Sequence, residues 1–453
     1  MKVLCLLLLF EFPGRIIQKK FIYVCLHQTK SIMLITISLV VFYLSAPVLL
    51  IYLTKISKIL NRLGAVVLAY LLGLFIGNIG ILPAASDSFR EILGTRSYLP
   101  KAEFQNFYDA AKLTDSDILA NQIASLQDIL MTIIIPLAIP LLLFSLDIRK
   151  WLKLAKGAVL SLILAMVSLL IAVFAGFYLF AGSITESWKV AGMLVGVYTG
   201  GTPNLAAIGT ALNVSPNIFV LTHTYDLIIG SVALLFLMTI AQRLFHAFLP
   251  KFQVVHKAEN AYQIGNEADD IENFDPLFKR KAVPDILKAL GISVLIFAIG
   301  GGLSLLVPKP TDTIVAILAI TTLGLLSSLI KPIRRLRNSF QLGMYLIIAF
   351  SLVVSSMANL SNMFQIEFLQ LFLYVLFVVF GSIIIHVGLA SIFKLDADTT
   401  IISITALTYS PPFVPAVASA LKNKDLIISG LTIGILGYAL GTYLGVIVAA
   451  ILK

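Results

Sequence analysis

Charge is what this sequence has least of. Only 12% of its 453 residues are Asp, Glu, Lys or Arg, against about 25% in an ordinary soluble domain. A chain so poor in charge and 59% hydrophobic has too little polar surface to face water, so a soluble globular protein is excluded and lipid becomes the main solvent. Cysteine is nearly missing too. Cys5 and Cys25 are the two thiols, which leaves neither a disulfide framework nor a thiolate metal site. No H-E-x-x-H metal motif occurs. The excess of 33 Lys and Arg over 23 Asp and Glu would suggest an anionic partner in a soluble protein, but here it reads first as a topology signal.

What the sequence does have is apolar runs of membrane length. A helix crossing a core of about 30 Å needs roughly 20 apolar residues. Ten stretches qualify: 33–53, 64–82, 126–146, 157–180, 219–241, 289–306, 313–330, 340–358, 368–393 and 426–452. Two more, 190–212 and 400–421, are long enough but broken at the centre, by Tyr198-Thr199-Gly200-Gly201-Thr202-Pro203-Asn204 and by Thr408-Tyr409-Ser410-Pro411-Pro412. Glycine leaves the backbone unshielded and proline lacks a donor, so neither stretch continues as one helix.

Basic residues cluster in four short loops: Lys55, Lys58 and Arg62; Arg149, Lys150, Lys153 and Lys156; Lys331, Arg334, Arg335 and Arg337; Lys422 and Lys424. If both broken segments crossed the membrane, the third cluster would face away from the first two. If each dips in and returns, all four share the cytoplasmic side, as the positive-inside rule requires. The expected fold is therefore an all-α integral membrane protein with ten transmembrane helices and two broken, re-entrant helical hairpins. Its expected units are a first membrane repeat over 33–245, a polar cytoplasmic linker over 246–286 and a second repeat over 287–453. The stretch 83–125 is expected as an excursion on the outer side. Arg15, Lys19, Lys20 and Lys30 would lie outside in this scheme, so residues 1–32 are set apart as an extension before a working start at Met33; a signal-like segment is the rival reading.

The two broken segments look related. A shift of 209 positions pairs Thr199 with Thr408, Pro203 with Pro412, Ala207 with Ala416, Ala211 with Ala420 and Leu212 with Leu421. Each follows a long apolar span and precedes a final helix, and the charge pattern makes the halves opposite in the membrane. Interrupted segments at matching places in inverted halves point to a secondary-transporter site. The plainer reading is that these glycines and prolines only make kinks and close packing. Gly430, Gly434, Gly437, Gly441 and Gly445 recur at helical spacing along the last span and are read that way, as helix contact.

Almost no charge remains once the loops are removed. The deep carboxylate is Asp226, with Thr222 one turn before it and His223 at three residues' spacing. An ionisable side chain in the bilayer is costly and is a functional hypothesis by default. Two roles fit: a ligand for Na⁺ together with hydroxyl and carbonyl oxygens, or a proton carrier. A structural hydrogen bond to an unwound backbone group is the plainer role. At the breaks, free N–H groups suit an anionic group and free carbonyls a cation. Thr199, Gly200, Gly201, Thr202 and Asn204 from the first break, with Thr408, Tyr409 and Ser410 from the second, are the candidate solute and ion site. An enzyme is not expected: His386 is mid-span and alone, and Tyr225-Asp226 lacks the second catalytic carboxylate of an intramembrane aspartyl protease.

The stretch Val197-Tyr198-Thr199-Gly200-Gly201-Thr202-Pro203-Asn204-Leu205-Ala206-Ala207, followed by Thr224-Tyr225-Asp226, resembles domain-of-unknown-function family 819, a family of multi-pass membrane proteins. The resemblance is read over 33–453, including Leu63-Gly64-Ala65-Val66-Val67-Leu68-Ala69-Tyr70. That family is distantly similar to sodium-coupled glutamate and citrate symporters, which implies a transporter-like fold without assigning a substrate. The second break departs from those symporters, with Pro411-Pro412 where they carry paired glycines.

The reading that follows is a cation-coupled secondary transporter of a small polar or anionic solute, working by alternating access in the cell membrane. A passive pore and a non-transporting scaffold are the alternatives. Na⁺ or H⁺ is the expected coupling ion, Na⁺ near Asp226 being the one metal considered, and no other cofactor is expected. The expected partners are the lipid bilayer and a small-molecule solute, with a homodimer admitted and nucleic acid excluded.

Overall fold

The computed structural model describes residues 15–57, 60, 64–83, 85–93, 98–110, 113–145, 156–252, 273–309, 311–357 and 368–453. Helices make up the regular structure, and no strand occurs among the described residues. Each of the ten predicted spans is a helix: α1 (Arg15–Ile56), α2 (Ala65–Asn78), α5 (Asp115–Phe144), α6 (Lys156–Phe180), α8 (Pro216–Thr239), α10 (Val283–Ser304), α11 (Asp312–Ser328), α13 (Ser339–Ser356), α14 (Leu369–Ile392) and α17 (Ile427–Leu452). Eight of these are long and apolar enough to cross a membrane; α2 and α11 are apolar but shorter. Helix α1 is continuous from Arg15 past Met33. Lys58, Arg62, Arg149, Lys150 and Lys153, and linker residues 253–272, lie outside the described residues.

The excursion expected over 83–125 is shorter than that reading. Residues 115–125 belong to α5, whose start is fixed by a capping box: Thr114 and Asp117 satisfy each other's backbone N–H groups. Asp117 also accepts from the backbone and hydroxyl of Ser86, and Asn121 exchanges two bonds with the backbone of Leu99. These ties hold a small cap, made of α3 (Asp87–Leu93) and α4 (Lys101–Asp109), with its own core of Phe89, Leu99, Phe104 and Leu113. Asp115, Asp117, Asn121 and Gln122 make residues 115–125 too polar to read as part of the apolar span that follows.

Both broken segments fold back on themselves. The first, α7 (Ser187–Ala211), leaves helical geometry at Gly200 (φ −153°, ψ 18°) and Gly201 (φ 66°, ψ −162°). A Cβ placed on Gly192 would lie 3.3 Å from Leu212 Cδ1, and one on Gly209 3.6 Å from Met193 Sδ. In a straight helix residues 192 and 212 would stand about 30 Å apart, so the two halves run antiparallel, side by side. The base is closed by the ion pair of Lys189 with Glu186 at 2.6 Å, by Lys189 donating to the carbonyl of Asn213, and by Ser215 N donating to Glu186. The second hairpin consists of α15 (Ala397–Thr408) and α16 (Val414–Ala420), joined by a 3₁₀ turn at Pro411–Phe413. Its base is closed by Asp398, which accepts from Asn423 Nδ2 at 2.9 Å and from Gln242 Nε2 at 2.8 Å.

The two bases lie at opposite ends of α17. That helix leaves the second hairpin's base after residue 426 and ends at Lys453, whose ammonium group lies 5.3 Å from the ring of Trp188 at the first hairpin's base. Its 26 residues cover about 39 Å, more than the apolar core of about 30 Å. The end holding the second base is the basic one. Lys394 and Lys422 are exposed there, Ala397 N bonds the carbonyl of Pro250 at the linker's start, and Lys55 pairs with Asp275 at the linker's far side.

Candidate functional site

The hairpin tips meet at mid-height against α17, and the glycine stripe of that helix is what admits them. A Cβ on Gly430 would lie 2.6 Å from both Ile402 and Val414, and one on Gly434 would lie 2.8 Å from the carbonyl of Ala406, all in the second hairpin. Gly437 and Gly441 then meet Thr199 and Asn204, and Gly445 meets Gly192 and Ile208, all in the first. The stripe is a contact surface, as expected, but it seats two re-entrant hairpins end to end. At the junction Ser410 Oγ occupies the place a Cβ on Gly201 would need. Close approach and a positive φ both demand glycine at 201.

Ser410 adopts nearly the same backbone geometry as Gly201, with φ 74° and ψ 164°, and it lies 209 positions later. The correspondence extends to the hairpin ends. Asn213 and Lys422 both have positive φ, at 49° and 58°. Val214 N bonds Gly209 O and Asn423 N bonds Ala418 O, each at 2.9 Å; Leu212 N bonds Ile208 O and Leu421 N bonds Val417 O, again each at 2.9 Å. These pairs all share the 209-residue offset read from the sequence.

The candidate side chains divide into those that hold the tips and those left free. Thr199 Oγ1 donates to Val195 O at 2.7 Å, and Thr222 Oγ1 donates to Ile218 O at 2.8 Å. Asn204 donates its amide to Gly437 O at 3.1 Å and accepts from Thr442 at 3.4 Å, which binds the first hairpin to α17. Gly200 packs against that same Asn204 amide. Thr202 is half-buried at the tip. Asp226 lies ten residues into α8, with Gly230 one turn on; a Cβ there would stand 3.8 Å from the Asp226 carboxylate and 3.5 Å from the ring of Tyr409. The second tip and the carboxylate are therefore neighbours.

Such placements carry the quoted motif onto a defined three-dimensional site, and the same stretch lies inside a family match. Residues 105–453 match the family described as "Protein of unknown function (DUF819)". The chain belongs to the DUF819 family. A DUF819 match that starts at residue 105 leaves 33–104 outside it, so the resemblance is narrower than the sequence reading. The chain is also 24% identical over 329 residues to the "Uncharacterized membrane protein YjcL" of Bacillus subtilis (strain 168), covering 70% of this chain and 81% of that one.

Three tyrosines surround the carboxylate of this DUF819 protein, and none was among the predicted site residues except Tyr409. Tyr70, Tyr198 and Tyr409 are the phenols within electrostatic reach of Asp226. Tyr70, from α2, bonds the Val220 carbonyl and Thr224 Oγ1. The hydroxyls of Tyr198 and Tyr409 are buried with no formed hydrogen bond, although Tyr198 faces Asp226. His223 is buried with both nitrogens unpartnered, its ring edge-on to Tyr70 at 4.8 Å. His386 is not alone: its Nε2 lies 3.4 Å from Ser161 Oγ, and it lines a cavity that also touches Tyr198 and Thr408. A tyrosine in an apolar run reads as core, so only its partner across the fold marks it.

Proposed function

We propose that this protein is a cation-coupled secondary transporter of a small polar or anionic solute, with Asp226 as the coupling acid and the two tips as the solute site. The observation that carries the reading is the meeting of Gly201 and Ser410, the tips of two hairpins that start from opposite ends of α17, beside a membrane-embedded carboxylate. Irregular backbone at membrane depth is tolerated where protein or a water-filled cavity covers it, and each tip here is a barrier toward one face. Movement of either hairpin would open the site to that side alone. The basic face is read as cytoplasmic by the positive-inside rule, and the cell membrane is the proposed location. The shared 209-residue geometry supports two inverted repeats as the source of this symmetry.

A thermal-shift screen of small acids and amino acids, with and without Na⁺ and across pH, identifies the solute, since a ligand of the folded state raises apparent stability. Uptake of that solute into proteoliposomes then tests the reading. A transporter concentrates it against its own gradient, whereas a pore only equalises it and a scaffold admits none.

A further inference from the structure

Between the first tip and α14 lies a cavity of about 20 Å³, room for one water molecule or an ion of that size. Its polar lining is Tyr198, Ser382, Thr408 and His386, and the remaining walls are apolar, from Ala165 and Leu169 on α6 to Ile404 and Leu407 on the second hairpin. Two of the four polar residues carry buried atoms with no partner: Tyr198 Oη and His386 Nδ1. Buried polar groups are paired with protein or water as a rule, so two such atoms on residues that line one small cavity call for a guest that can bond both. Tyr198 faces Asp226, so the cavity adjoins the carboxylate through a single phenol.

The direction of this row is informative. Asp226 lies ten residues into α8, about 15 Å along it. His386 is six residues from the basic end of α14 and Ser161 five residues from the basic end of α6, each about 8–9 Å from that end. The row Asp226, Tyr198, cavity, His386, Ser161 therefore runs from mid-height toward the basic face.

We infer that the cavity holds one water and completes a proton relay between Asp226 and His386, so that the coupling ion is H⁺, exchanged with the basic face. This rests on the transporter reading above. In the transfer, protonated Asp226 gives its proton to Tyr198 Oη while Tyr198 passes its phenolic proton to the water. The water passes one proton to the free nitrogen of His386. Tyrosine and water each gain and lose one proton, and the net change is one proton from carboxyl to imidazole. Sodium is the weaker fit, because a hard cation needs several oxygen acceptors. Near Asp226, by contrast, the buried oxygens left without a partner are the phenols of Tyr198 and Tyr409, while the hydroxyls of Thr199, Thr222 and Thr224 are oriented to donate to carbonyls of their own helices. The groups facing Asp226 are Tyr70 from α2, Tyr198 and Tyr409 from the two hairpins, with His223 one turn before it on α8; no carboxylate or ammonium group lines the cavity.

Infrared difference spectroscopy of the full chain in lipid vesicles tests this with protons as the probe. The signal followed is the protonated-carboxyl stretch that Asp226→Asn removes. On transfer from H₂O to D₂O it is expected to exchange at least about tenfold more slowly in Tyr198→Phe, which keeps the packing, in His386→Gln, and in Ala165→Val, which fills the cavity. It is also expected to titrate identically in sodium and choline media. Wild-type exchange rates in the folded variants would overturn the relay. So would absence of the band at every pH, or a midpoint that falls as sodium replaces choline. Solute uptake does not enter this readout, so failure of the relay and failure of the transport reading are separate results.

Discussion

Gly201 and Ser410 face each other across the centre of the protein, in nearly the same backbone conformation and with the serine hydroxyl where a glycine Cβ would have to stand. One of the two is glycine and the other is not, which makes their substitutions opposite in sign. Gly201→Ala forces a side chain into a conformation that costs about 1–3 kcal/mol and pushes it into Ser410. Ser410→Gly releases that strain and is expected to gain about 1 kcal/mol after the added chain entropy. Thermal melts in detergent should show the first falling and the second rising.

The seat on α17 makes a second prediction. Gly437→Ala places a methyl group against the Thr199 carbonyl, backbone that cannot rotate away, and should cost about 1–3 kcal/mol by overpacking. Gly301→Ala is the control. A Cβ there meets nothing within 4 Å, and a helical Gly→Ala change in open space should gain about 0.5–1 kcal/mol.

Single cysteines in a chain whose Cys5 and Cys25 are changed to serine test the hairpins as hairpins. Thr185 and Asn213, exposed at the two ends of the first, should both react with a membrane-impermeant reagent from one side. Lys394 and Lys422, exposed at the two ends of the second, should react only from the other. Labelling of Thr185 and Asn213 from different sides would make the first segment a crossing helix.

Asp398 closes the second base through two neutral amides, those of Gln242 and Asn423. Asp398→Ala leaves the Asn423 amide without its acceptor and the Gln242 amide with only the Leu421 carbonyl, and should cost about 1–3 kcal/mol. With Gln242→Ala in the same chain the losses should fall short of their sum by at least about 0.5 kcal/mol, since the two share a bond. Strict additivity in that cycle would show the contact to be unimportant.

The helices were legible because a bilayer sets their length and polarity, so 33–53 through 426–452 could be read directly. The hairpins were legible from charge: only a return at both breaks puts Lys331 to Arg337 beside the other clusters. Partners across the fold were not legible. Nothing in the sequence says that Gly437 meets Thr199, that Asn204 is held by α17, or that His386 shares a cavity with Tyr198. Within the expected hydroxyl site, Thr199 and Thr222 donate to carbonyls of their own helices, and of the two free phenols the sequence marked Tyr409 but not Tyr198. A side chain's type sets what it can bond, and only the packed neighbours decide whether it already has.

Uptake driven by an imposed cation gradient in proteoliposomes, compared between the natural chain and Asp226→Asn, tests the central claim most directly. The account predicts accumulation above the external concentration when the gradient is applied, abolished in Asp226→Asn although that variant folds and inserts normally. Undiminished gradient-driven accumulation by folded Asp226→Asn would contradict it.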